Sequence, residues 1–282
     1  MKVTFLGTAA ATAMPLPFCN CHVCEEAKQL KGKDIRKRSS IVINDDLLID
    51  LGPDSVNACY QYGVDLSRIQ YVMQTHAHSD HFDAGHFITR HPEYAPRNIN
   101  PVTLVASLKT FHAINTMLIG QDGMADLFSE DFQRKLKISI KSILPFETIK
   151  LEDYWVTALE SLHDINQQAL IFLIESNDKT VLYGTDLLDM SEDVYRLLSS
   201  KRVDLLILDQ TYGEGYNAGG HLDAGQVKEI IDRLGELGAI DKTTLIYATH
   251  ISHEGNNTHT KMHSLAKKRG YDIAYDGLVI HI

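Results

Sequence analysis

A chain of 282 residues, 44% of them hydrophobic, carries enough apolar surface to close a substantial core, and its length allows one large domain or two small ones. The formal net charge of −10 argues against a nucleic-acid partner gripped by a broad basic face, which needs clustered Lys and Arg. The opening MKVTFLG reads as a strand, not as a secretion signal, and no stretch has the roughly 18 apolar residues of a membrane helix. The expectation is a cytoplasmic protein without a membrane partner.

In chain order, short β-rich runs dominate the first half: KVTFLG, RSSIVIN, LLIDLG, IQYVMQT and VTLVAS, each closed by Gly, Pro, Asp or His. Residues 110–135 read as an irregular helical segment, an insertion or a lid. Strands resume with LKISIKSI, YWVTALES, ALIFLIES, TVLYGTD, VDLLILD and TTLIYATH. Helical periodicity marks SEDVYRLLSS, DAGQVKEIIDRLGELG and HTKMHSLAKKRG. Strands predominate and helices are interspersed, an α/β pattern without repeats or linkers.

Several strands run into a ligand-type residue: MQTH at His76, LESLH at His163, LYGTD at Asp186, ILD at Asp209 and YATH at His250. The ends of neighbouring buried strands converge on one edge of a sheet, where α/β folds place their sites. Residues scattered along the whole chain would then meet at one site, so residues 1–282 are expected to form a single domain.

THAHSDHF crowds His76, His78, Asp80 and His81 into six positions. In an extended loop, His76 and His78 project the same way and can share an ion. Asp80 and His81, expected at a helix N-terminus, sit where a second metal would be held; the bland alternative is a solvated loop. CNCHVC places Cys19, Cys21 and Cys24 at three corners of a tetrahedral site. Three free or buried thiols are the alternative. His22, wedged between two of the cysteines, should point away, and THISHEG offers His253 as a fourth ligand. Cys59 reads as an ordinary core or helix residue.

H-x-H-x-D-H after an apolar strand, a lone His, an Asp after YG and a late TH resemble the metallo-β-lactamase superfamily over essentially the whole chain. The resemblance implies an αββα sandwich of two mixed β-sheets flanked by helices, with divalent metals at the sheet edge. It implies that His76, His78 and His163 bind a first metal, that Asp80, His81 and His250 bind a second, and that Asp186 bridges them. Asp50 in LLIDLG matches a strand-end Asp that orients a ligand histidine, or is a turn cap before Gly52. Asp209 has the same two readings.

Four features narrow the resemblance to the phosphoribosyl 1,2-cyclic phosphate phosphodiesterases of the carbon–phosphorus lyase pathway: the cysteine loop, THISH, the YDGLVI end and the histidine of GGHLDAG. The resemblance then implies a structural zinc on Cys19, Cys21, Cys24 and His253, and zinc or manganese as the two active-site metals. The implied reaction opens a small cyclic phosphodiester, giving ribose 1,5-bisphosphate by attack of a metal-bridging hydroxide. Catalytic roles fall to Asp80, Asp186 and His221, the last as general acid. A loop or N-capping histidine is the alternative for His221. The expected partner is a small phosphorylated substrate, and a homodimer is expected because the superfamily's members often dimerise.

Other functions carried by this fold are a transfer-RNA 3′-processing ribonuclease, which would need a basic RNA-gripping arm, and a lactonase or thiolesterase, which would need neither the cysteines nor His221. A further one is a non-catalytic protein resembling protein B of pyrroloquinoline quinone biosynthesis. His86, His91, His112, His259, His263 and His281 lack partners at ligand spacing and read as surface residues. A substrate phosphate would want a cation, for which Arg90, Arg97, Lys109 and Arg134 are candidates.

Overall fold

The computed structural model describes residues 1–95, 98–122, 126–216 and 218–282. Among these, fourteen strands form two seven-stranded sheets. The first contains β1 (Lys2–Gly7), β2 (Ser40–Ile43), β3 (Leu47–Ile49), β4 (Tyr71–Met73), β5 (Val102–Ala106), β6 (Ile138–Ser142) and β14 (Val279–His281), in the order β14-β1-β2-β3-β4-β5-β6. The second contains β7 (Thr148–Leu151), β8 (Tyr154–Glu160), β9 (Leu170–Ser176), β10 (Lys179–Gly184), β11 (Leu205–Asp209), β12 (Leu245–Thr249) and β13 (Asp272–Ile273), in the order β13-β12-β11-β10-β9-β8-β7. Both are mixed. The pairs from β3 to β6 and from β10 to β13 are parallel, and the others are antiparallel.

Alternation along each strand builds the layers, because successive side chains point to opposite faces. Ile41 and Ile43 of β2 meet Val181 and Tyr183 of β10 in the core between the sheets, while Val42 faces outward. On the outside of the first sheet, α2 (Ser55–Tyr62), α3 (Ala84–Ile88) and α4 (Leu108–Asp122) bury Ala58, Cys59, Phe87, Phe111, Ile114 and Leu118. Outside the second sheet, α6 (Glu192–Leu198), α7 (Ala224–Glu236) and α8 (His259–Lys268) bury Val194, Leu198, Val227, Ile230, Leu234, Met262 and Ala266. The result is the four-layer αββα sandwich.

Two expectations change. The helical segment expected at 110–135 is α4 followed by α5 (Glu130–Leu136), the crossover joining parallel strands β5 and β6. Phe111, Ile114, Leu118, Leu127 and Leu136 are buried against the sheet, so the segment is part of the core and not a lid; residues 123–125 lie outside the described residues. His259 is not a surface residue. It is only 6% exposed and takes a hydrogen bond at Nδ1 from Nη2 of the buried Arg36, 3.0 Å away. Helix α1 (His22–Leu30), which follows the cysteine loop, has no counterpart in the predicted elements.

Candidate metal centre

The sheet edge collects the strand ends as their parallel order requires. His76 lies three residues past β4, His163 three past β8, Asp186 two past β10 and His250 directly after β12, while Asp209 ends β11. Asp50, Asp186 and His250 have left-handed backbones, with φ of 64°, 53° and 61°. Left-handed geometry is uncommon for residues with a Cβ and gathers at functional sites. Here it turns each side chain sharply off its strand. The turn after Asp50 presses on the histidine loop: a Cβ on Gly52 would lie 2.2 Å from the carbonyl oxygen of Asp80. Asp80 and His81 precede the helix that follows them, which starts at Ala84 with Asp83 as its N-cap.

Two sets of ligand atoms result. His76 Nε2 is 2.9 Å from His78 Nδ1, which is 3.4 Å from His163 Nε2. His81 Nε2 is 3.1 Å from Oδ2 of Asp80, and His250 Nε2 is 3.6 Å from the same oxygen. Asp186 stands between the sets. Its Oδ1 is 3.5 Å from His163 Nε2, and its Oδ2 is 2.9 Å from His81 Nε2 and 3.3 Å from His250 Nε2.

The donor set fits divalent cations. Among the described residues, His81 Nε2, His250 Nε2 and Asp186 Oδ2 are buried without a hydrogen-bond partner, yet they converge within a few ångströms. Unpaired buried polar atoms are costly, and atoms arranged this way suit a shared ion. Burial opposes ionisation of His250, but Asp186, Asp209 and Asp80 push its pKa up to about 10. His81 is raised well above the usual range against its own burial by Asp186, Asp80 and Asp50.

A supporting ring of hydrogen bonds repeats in both sheets. Asp50 accepts from the backbone N–H of Thr75 (2.8 Å) and faces His81 Nδ1 (2.8 Å), while Thr75 Oγ1 lies 3.0 Å from His76 Nδ1. Asp209 accepts from the N–H groups of Thr211 (2.8 Å) and Asp186 (3.0 Å), and Thr211 Oγ1 lies 2.8 Å from His250 Nδ1. A ligand histidine held at its second nitrogen keeps its tautomer and ring orientation. Asp50 and Asp209 therefore orient histidines. Sequence reasoning missed Thr75, Thr211, Gln74 and Asp164. Gln74 Nε2 donates to Asp50 and to the carbonyls of His76 and His81, and Asp164 Oδ2 is 3.2 Å from His78 Nε2. The polar QT inside an otherwise apolar strand end was the available signal.

His221 comes to the same edge from the Gly-rich loop before α7. Its Nδ1 is 3.2 Å from Asp209 Oδ2 and 3.9 Å from Asp186 Oδ1, and its ring stacks on His250 with centroids 5.1 Å apart.

The second cluster also assembles. One ligand atom each from Cys19, Cys21, Cys24 and His253 lies within 4.8 Å of the others, with Cys21 Sγ 3.3 Å from His253 Nδ1. His22 points away into solvent toward Glu26. Burial opposes ionisation of Cys21, but hydrogen bonds from Cys24 and His253 bring its thiol down to about 6, while burial pushes Cys24 up to about 12. Thiols this close cannot all ionise without a cation, which is the environment a tetrahedral zinc site supplies.

Comparison with known proteins agrees with this geometry. A family model described as Beta-lactamase superfamily domain matches residues 46–251. Among solved structures, a diphosphatase from the PhnP family is 21% identical, with TM-score 0.74, covering 100% of this chain and 97% of that one. Zinc-bound PqqB from Methylobacterium extorquens is 19% identical, with TM-score 0.73 and full coverage of both chains. The short form of human tRNase Z is 18% identical, with TM-score 0.66, covering 100% and 99%. A stretch of 142 residues, 49% of this chain, is 26% identical to protein translocase subunit SecA of Chlamydia caviae, and spans 13% of that protein's length. No helix among the described residues is long and apolar enough to cross a membrane. With a family model spanning both ligand sets, and an αββα sandwich that converges seven His and Asp side chains on one edge, this chain belongs to the metallo-β-lactamase superfamily.

Proposed function

We propose that the protein is a di-metal phosphodiesterase that opens small cyclic phosphodiesters, converting phosphoribosyl 1,2-cyclic phosphate to ribose 1,5-bisphosphate. The observation that carries this reading is the position of Asp186, one oxygen toward each histidine set, with the His221 ring beside it. His76, His78, His163 and Asp186 would hold one cation; Asp80, His81, His250 and Asp186 would hold the other. Zinc or manganese held there would supply Lewis acidity to the phosphodiester and would lower the pKa of the attacking water.

The chain's own groups do the rest. Asp50, Thr75, Asp209 and Thr211 hold the ligand rings in place. As the imidazolium, His221 would donate Nδ1–H to Asp209 and give its Nε2 proton to the leaving alkoxide as the bond to phosphorus breaks, which leaves a neutral ring still held at Nδ1. The cysteine site would hold a structural zinc, closing the loop before α1 onto the His253 loop. Likeness to a diphosphatase and to tRNase Z supports phosphate chemistry, and the net charge of −10 favours a small substrate over RNA.

The test follows phosphoribosyl 1,2-cyclic phosphate by phosphorus NMR with metallated protein, alongside a linear aryl phosphodiester, a diphosphate ester and the His221→Ala variant. Ring opening by wild type, lost in the variant, is expected. Turnover of the diphosphate ester alone would replace the cyclic substrate with an anhydride, the second reading that the diphosphatase likeness favours. Turnover of none would overturn the phosphodiesterase reading.

A further inference from the structure

The geometry points to Lys109 as an anion-binding residue at the rim of the metal centre, selecting small phosphodiesters that carry a second anionic group; this rests on the phosphodiesterase reading above. Strands β4 and β5 are parallel neighbours, with Met73 opposite Val105. His76, three residues past β4, and Lys109, three past β5, therefore leave the sheet at the same edge. The start of α4 is fastened to the loop that carries His163. Ser107 Oγ and Thr110 Oγ1 both donate to the carbonyl of Gln167, at 3.0 and 3.1 Å. The side chain of Gln167 in turn accepts from the N–H of Ala77, between His76 and His78, at 2.8 Å.

Lys109 Nζ donates to the carbonyl of Ile165, 3.3 Å away and two residues from His163. One such bond leaves two of the three ammonium donors for a ligand. The acid nearest in sequence on that loop is already engaged: Asp164 accepts from the N–H groups of Asn166 and Gln167 through Oδ1, and its Oδ2 faces His78 and the Gln167 amide. Among the described residues, no carboxylate comes within ion-pair distance of Lys109.

Of the other candidate cations, Arg90 and Arg134 are engaged elsewhere. Arg90 donates to the carbonyls of Leu136, Asn100 and Lys137. Arg134 pairs with Asp131, and Arg38 with Asp54 at 3.0 Å. Arg97 lies outside the described residues. An exposed ammonium not neutralised by the protein, held to the loop that carries His163, marks where a second phosphate would rest.

The experiment compares a ribosyl 1,2-cyclic phosphate with and without its 5-phosphate, using wild type, Lys109→Ala and Lys109→Arg, each with metal content checked. Lys109→Ala should raise KM about tenfold for the 5-phosphorylated ester alone, leave kcat and the unphosphorylated ester unchanged, and be rescued in part by Arg. Equal effects on both esters, or none, would overturn the assignment. If wild type opens neither ester, the phosphodiesterase reading fails. Calorimetric preference for ribose 1,5-bisphosphate over ribose 1-phosphate then decides the lysine: loss of that preference in Lys109→Ala supports it, and an unchanged preference overturns it.

Discussion

Asp209 Oδ2 lies 3.2 Å from His221 Nδ1, 3.3 Å from His250 Nδ1 and 3.0 Å from the N–H of Asp186. One fully buried carboxylate thus sets the proposed acid, a ligand of the second cation and the backbone of the bridging residue. Asp209→Ala should lower metal affinity or turnover by about 10–100-fold. Metal stoichiometry and kcat measured together check this, and wild-type values for both would remove Asp209 from the machinery.

His221→Ala separates acid from ligand. It should slow release of an alkoxide by about 10²–10⁴-fold while sparing an aryl ester whose leaving group needs little protonation. Metal content should stay at the wild-type level. An equal loss on both leaving groups would make His221 a structural residue of the loop.

The cysteine cluster predicts a stability effect without a chemical one. Cys21→Ser should remove one zinc per chain and lower Tm by roughly 5–10 °C, since a closed four-ligand site contributes folding energy. Elemental analysis beside a thermal melt is the measurement. An unchanged metal count would leave three thiols and a histidine in place of a zinc site.

The loop carrying His221 depends on close backbone packing against the His253 loop. Gly213 N–H donates to the carbonyl of Glu254 at 3.0 Å, and a Cβ on Gly213 would lie 1.7 Å from the carbonyl oxygen of Gly255. Backbone cannot yield as a side-chain tip can, so Gly213→Ala should cost at least about 2 kcal/mol in urea denaturation. A cost below about 0.5 kcal/mol would mean that the two loops part freely.

His259 predicts a pH dependence away from the metals. Its Nδ1 must be unprotonated to accept from Arg36, and burial together with the Arg36 charge pushes its pKa down to about 3. The unfolded value is ordinary, about 6.5. The folded state therefore binds fewer protons between these values. The stability His259 contributes is full above pH 6.5 and is lost as pH falls from there toward 3, about 2 kcal/mol by pH 5. Urea midpoints at pH 7.5 and 5 should fall more steeply for wild type than for His259→Gln; parallel falls would contradict the assignment.

The amino-acid sequence alone determined the α/β order of elements and the ligand types, while the layered sandwich was implied by the family resemblance. Strand alternation such as Ile41-Val42-Ile43, and the histidines and aspartates just past strand ends, are local signals, and parallel strands must bring their carboxyl ends to one edge. Tertiary structure decided what depends on register between distant segments. Thr75 looks like an ordinary polar residue until Asp50, at the end of the neighbouring strand, comes within hydrogen-bond reach, and Thr211 until His250 does. His259 reads as a surface residue until Arg36, 223 positions away, is buried against it. Lys109 is one cation among several until the Gln167 contacts fasten its helix to the His163 loop. Periodicity reports which face a residue occupies, whereas a partner hundreds of residues away is chosen only when the two sheets pack.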